Sequence, residues 1–270
     1  MFGNIDRLQS HKLYYDSPLT ESITRDFDAL IHIQKAANYC ERHSSDENAW
    51  CQNVVVPLLE SALHKPRFSI GKVISVQTHT INPLFSDSAD SLAQKKIDYA
   101  IFIDDDSDEA HALYEALKKR VPKESQGLWT HISTANLIPL FIFEVKPDGQ
   151  DKAQFQLMTG ARAFLKYLQS LLNSSASKSK MKSGRKTSFL KRLPPVIGWI
   201  VHRHEWKAYV SYSIGDSEWV WVPLPSAVGN TSSKGQSIRL LRIIETLKAH
   251  FGQVYMAWLK DVLLNEEIED

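Results

Sequence analysis

Cysteine is nearly absent: Cys40 and Cys51 are the only two in 270 residues, and neither sits at a metal-ligand spacing. A disulfide framework is therefore excluded, and a reducing compartment is expected. Long apolar runs are also missing, and none approaches the roughly 20 residues of a membrane span. Met1 to Leu13 is polar and charged, without the apolar core of a signal peptide. Net charge is only +1, so a surface for a polyanion has to be a local patch. No internal repeat is present. These absences predict an intracellular protein, nuclear or cytoplasmic, without a membrane partner. They leave its oligomeric state open. The length is ample for a sizeable core.

The patterning alternates between helix and strand. Residues 17–42 carry Ile23, Phe27, Leu30, Ile31 and Ile33 at helical spacing. Ser44, Ser45, Asp46 and Asn48 then supply a break and an N-cap for a helix over 47–64. Pro57 is expected to kink or split that helix. Strands are expected at 68–80 and 97–103, a short exposed helix at 109–120, and a further strand ending at Lys146. Residues 151–172 form a strong amphipathic helix. Ser, Lys and Arg dominate 173–192, which reads as a flexible basic loop. Three strands follow at 196–203, 206–212 and 218–223, and a long helix at 237–264 closes the chain. This order predicts an α/β (α+β) fold with a central mixed sheet flanked by helices. The expected organisation is a helical extension over 1–45 and a single domain over 46–266.

Charged residues stand out in the two most apolar strands. Asp98 interrupts Ile97-Asp98-Tyr99-Ala100-Ile101-Phe102-Ile103, and Glu144 and Lys146 end Ile138 to Lys146. Alternation along a strand points Glu144 and Lys146 the same way. Burying such charges without partners costs several kcal/mol, so a metal, each other or cleft water must compensate them. Hydrolysis of a phosphodiester needs an activated water and neutralisation of phosphoryl charge, which a Mg²⁺ held by one or two carboxylates can supply. Asp98 and Glu144 would give those oxygens, with the Val145 carbonyl as a third donor. Lys146 would orient the water or stabilise developing charge.

Several segments, in order, carry a family resemblance. They are Asp46-Glu47-Asn48-Ala49-Trp50 with Val56-Pro57-Leu58-Leu59, Lys96-Ile97-Asp98-Tyr99, the strand through Glu144-Val145-Lys146, and Ala153-Gln154-Phe155-Gln156-Leu157. Trp206-Lys207-Ala208-Tyr209-Val210 and Tyr255-Met256-Ala257-Trp258 extend it. Over roughly residues 46–262 the sequence resembles the PD-(D/E)XK nuclease-like superfamily, and within it the fungal nuclease-like domain. The resemblance implies a restriction-endonuclease-like fold and Mg²⁺- or Mn²⁺-dependent hydrolysis of nucleic acid, DNA foremost. It adds Gln156, on the following helix, to Asp98, Glu144 and Lys146. It also implies an acid on the first helix, for which Glu47 and Glu60 both qualify. Val55 departs from a histidine common in the family, and Met158-Thr159-Gly160 lacks an expected aromatic.

Plainer readings stand beside these. Glu144 and Lys146 can neutralise each other at a strand end. Gln156 borders an apolar stripe and can simply be solvated. The basic residues Lys178, Lys180, Lys182, Arg185, Lys186, Lys191 and Arg192 suit a solvated loop, although they could contact phosphates or form a nuclear localisation signal. His202-Arg203-His204 reads as a turn, with too few ligands for a metal. Trp219 and Trp221 alternate on a strand and are expected to pack against the C-terminal helix. A catalytically inactive member that binds nucleic acid or a protein, or an enzyme with another substrate, would keep the same fold.

Overall fold

The structure is a computed structural model that describes residues 17–63, 71–86, 97–104, 106–179, 192–214 and 218–264. Its centre is a six-stranded sheet in which each strand pairs with the next in sequence: β1 (Gly71–Ser75), β2 (Tyr99–Ile103), β3 (Pro139–Val145), β4 (Val196–His202), β5 (Glu205–Ile214) and β6 (Glu218–Asn230). All neighbours are antiparallel except β3 and β4, which run parallel. A parallel pair needs a crossover, and helix α5 (Gln150–Ser179) provides it. The expected mixed sheet is thus present. β2 and β3 are buried at every position, and β4 at all but its last, as continuous apolar runs require.

Helices cover both faces. Helix α1 (Ser17–Arg42) packs on the α3 region and α6, burying Leu30, Ile33, Ala37 and Cys40 in the same core as the sheet. Helix α2 (Glu47–Trp50) starts where Asp46 Oδ1 accepts a hydrogen bond from the Ala49 N–H (2.9 Å), the expected N-cap. The disruption expected at Pro57 takes the form of a π-helical turn over Cys51–Val55, running into α3 (Val56–Leu63). Val56 N–H donates back to the Cys51 carbonyl, so the chain widens by one residue just before a proline that has no donor to give. Helix α4 (Asp108–Arg120) is capped by Ser107, and α6 (Lys234–Leu263) by Ser233. Among the described residues no helix is long and apolar enough to cross a membrane.

Some expectations are corrected. The basic loop begins later than residue 173, because α5 stays helical to Ser179; residues 180–191, which hold most of its cations, lie outside the described residues. β6 runs to Asn230 rather than 223, through Pro223 and Pro225. It is an edge strand, where a missing N–H breaks no ladder bond. Trp219 and Trp221 have ring partners on α5 and β5. Arg162 of α5 lies over the Trp219 ring at 5.4 Å, and Tyr209 stacks on Trp221 at 4.2 Å. Residues 68–70 of the first expected strand lie outside the described residues.

Two features escaped the patterning rules. Lys248 falls on the apolar face of α6 and is buried, with its Nζ donating to the Ala62 carbonyl (2.8 Å) in the last turn of α3. Gly160 explains the missing aromatic after Gln156. A Cβ there would meet Ile97 Cδ1 at 2.6 Å, so only glycine lets α5 close on β3 and the residue before Asp98. Gly160→Val should therefore cost about 1–3 kcal/mol by overpacking. Urea unfolding would measure it, and an unchanged midpoint would contradict this packing.

Candidate active site

Asp98 precedes β2 and is locked by its backbone. Its N–H donates to the Phe143 carbonyl (3.2 Å), and its own carbonyl accepts from Val76 N–H (2.9 Å). Its carboxylate thus lies between the end of β1 and the end of β3. There Oδ2 accepts the Val145 N–H at 2.7 Å. Glu144 stands near the end of β3, opposite Ile200 of β4, and is fully buried. Lys146 follows the strand and extends its ladder, its N–H donating to the Val201 carbonyl (2.9 Å).

Four oxygens surround the Lys146 ammonium. They are Glu47 Oε2 at 2.5 Å, Glu144 Oε1 at 3.1 Å, the Val145 carbonyl at 3.3 Å and Asp98 Oδ2 at 3.6 Å. The three strand residues singled out in the sequence are thus brought together, with the Val145 carbonyl among them. The choice between first-helix acids is also decided. Glu47 reaches the ammonium from α2, whereas Glu60 is exposed on α3. Gln156 is half-buried on α5, one turn before Gly160 on the same face. Gly160 lies against Ile97 and Ile142, so Gln156, one turn earlier, falls toward the Glu144 end of β3, and no hydrogen bond joins the two.

Gln77 is a site neighbour that sequence patterning does not reveal. It leaves the β1 strand and donates Nε2 to Asp98 Oδ1 (3.4 Å), with the buried Cys51 thiol 3.8 Å away. A glutamine between Val76 and Thr78 carries no pattern that marks it.

The electrostatics are those of a crowded, buried acid cluster. Burial raises the Asp98 pKa to about 6, against the pull of Lys146 and the Val145 N–H. Burial, then the neighbouring Asp98 charge, raises Glu144 to about 9, while Lys146 opposes the shift. Burial acts to lower the Lys146 pKa, but Glu144 and Asp98 outweigh it and hold the ammonium above its ordinary value. Lys146 lies close to Glu144 Oε1 but off the line a hydrogen bond needs. Both Glu144 oxygens are left without a hydrogen-bond partner among the described residues. Such a group in a native interior calls for an explanation.

These residues fit a hard divalent cation. The donors are carboxylate and carbonyl oxygens, the class that Mg²⁺ and Mn²⁺ prefer. Among the described residues Lys146 is the cation that faces all three carboxyl groups, and the charge of a bound divalent ion would favour the ionised forms of Asp98 and Glu144. Among the described residues no three His, Cys, Asp or Glu side chains already stand as a ligand set. The Lys146 ammonium occupies the point on which the oxygens converge.

The raised carboxylate values fix a sign. Glu144 binds its proton more tightly folded than unfolded, so it stabilises the fold at low pH. That contribution is lost as pH rises from its ordinary 4.5 through about 9. Thermal melts in EDTA should fall in midpoint between pH 5 and pH 9, and Glu144→Gln should flatten the slope. Equal slopes for the two proteins would contradict the assignment.

No curated protein and no solved structure matches the chain. The sequence model of one family does match it, over residues 4–256, a span that takes in Glu47, Asp98, Glu144, Lys146 and Gln156. On that match the chain belongs to the PD-(D/E)XK nuclease superfamily, whose members generally use divalent metals and whose fold this mixed sheet follows.

Proposed function

We propose that this protein is a Mg²⁺- or Mn²⁺-dependent nuclease that hydrolyses phosphodiester bonds, with DNA as its substrate. Membership of a nuclease superfamily implies a nucleic-acid substrate. The observation that carries the reading is the fully buried Glu144 carboxylate, with no hydrogen-bond donor, facing Asp98, Glu47 and the Val145 carbonyl around one cation. Its nearest cation, the Lys146 ammonium at 3.1 Å, is shared with Glu47 and Asp98, so Glu144 lacks the well-formed hydrogen bonds that a buried structural ion pair needs.

Asp98 and Glu144 would hold the metal, with the Val145 carbonyl as a third donor and Glu47 beside them. When bound, the metal would supply charge neutralisation at the phosphoryl oxygens and a lowered pKa for water. The chain's own residues do the rest. The Val145 N–H and Gln77 orient the Asp98 carboxylate from both sides. Lys146 carries three donor hydrogens into the cluster and is charged at neutral pH. It can hold the attacking water by its lone pair and face the negative charge that builds on the phosphoryl group. Gln156, one turn before Gly160 on α5, would offer an amide to position that water or a phosphate oxygen.

The test is cleavage of single- and double-stranded DNA and RNA with Mg²⁺, Mn²⁺ or EDTA, beside Asp98→Ala and Lys146→Ala. Metal-dependent cleavage of DNA is expected, lost by at least about a hundredfold in each folded variant. Undiminished cleavage in both variants would remove these residues from the chemistry. A folded wild type that binds DNA in a salt-sensitive way without any cleavage would make it a binding member of the family.

A further inference from the structure

The two-residue turn between β4 and β5, Arg203-His204, contributes no group to the carboxylate cluster, yet it touches the segments that frame it. Arg203 Nε donates to the carbonyl of Pro147, the residue after Lys146 (3.0 Å), and Nη2 to Asp148 Oδ1 (2.8 Å). Its third donor, Nη1, reaches Glu41 Oε1 (3.1 Å) in the last turn of α1, just ahead of the Glu47 helix. The His204 ring meets Trp50, at the end of α2, edge-on at 5.5 Å, and its Nδ1 shares a hydrogen bond with Thr231 Oγ1 (3.0 Å). One turn thus grips the helix that carries Glu47 and the strand end that carries Lys146.

The backbone adds an independent observation. Arg203 has φ 53°, in the left-handed region. Two-residue hairpin loops favour glycine or asparagine there, because a side chain is strained. Strain of this kind persists where the surrounding structure over-determines the residue. Here the guanidinium accounts for it: a planar fork can reach three acceptors on two segments, which a lysine point charge cannot do. Each exposed ion pair alone would be weak. Together they form a crosslink between the end of α1 and the segment after Lys146.

We infer that Arg203 is a positioning residue that ties the end of α1, and through it the Glu47-bearing helix that follows, to the segment after Lys146 and so sets the spacing of the carboxylate cluster. The role in catalysis rests on the nuclease reading, whereas the crosslink itself does not.

The test uses Arg203→Gly, which removes the fork and gives the turn the residue it favours. Cys51 is the reporter, since it lies buried in the π-helical turn next to α2 and is the sole thiol once Cys40→Ser is introduced. The expected result is an unchanged thermal midpoint with native-state labelling of Cys51 by a disulfide reagent about tenfold faster. High salt should accelerate labelling of the Arg203 protein in the same direction, and Arg203→Lys should fall between the two. In cleavage assays kcat should drop in Arg203→Gly while KM holds. Unchanged labelling, or labelling that rises only in step with a lost thermal midpoint, would overturn the inference. If labelling responds as expected but the wild type cleaves no nucleic acid, the crosslink stands and the nuclease reading falls.

Discussion

One ammonium among three carboxylates, at the buried end of a strand, is the constraint around which the rest of the molecule is arranged. Without Lys146, three acids would share a site closed to most solvent, at a cost of several kcal/mol per charge. With it, the cluster is still short of positive charge, and Glu144 still lacks a donor. An interior tuned only for stability would place apolar residues here. The surplus of acid is what a hydrated divalent ion would correct, and burial, with Asp98 added at Glu144, is what holds these carboxylates above their ordinary range.

The sheet topology delivers these groups to one place. β1 ends beside Asp98, β3 ends at Val145 with Lys146 next, and β4 runs parallel to β3, so the strand ends of Lys146 and Val201 meet. The single parallel pair forces a helical crossover, and that helix brings Gln156 over the same end. Gly160 is the contact that allows the approach. Glu47 arrives from outside the sheet, on a short helix fixed at its start by Asp46 and at its end by the buried Trp50. Precision in the cluster therefore depends on a helix start, a strand end and a helix crossing, each set by a different residue.

The parts legible in the sequence were those with strong local signatures. Asp98 and Glu144 were visible because a charge in a doubly buried strand is expensive, and Lys146 because strand alternation ties it to Glu144. Asp46 announced its helix through side-chain chemistry that acts within one turn. What stayed hidden depended on distant partners. Gln77, Lys248 and Arg203 look like ordinary polar residues until the fold sets them against Asp98, Ala62 and Glu41. The partners of Trp219 and Trp221 on α5 and β5 were likewise hidden, because alternation shows that a residue is covered and not what covers it. The choice between Glu47 and Glu60 had the same origin, since both are acids on one helical stretch and only tertiary packing separates them.

The π-helical turn at Cys51–Val55 has a consequence for how this chain can vary. A helix turns by about 100° per residue, and the extra residue held in that turn shifts the phase of everything beyond it. Glu47 upstream and the packing residues Leu58, Leu59 and Ala62 downstream are phased to each other only through that widened turn. Removing one residue would let an ordinary α-helix form and would swing either the acid away from Lys146 or the leucines away from the core. Conservative exchanges can be absorbed along this stretch, but a change in its count cannot. Its length is thus a constraint in its own right, independent of the side chains that fill it.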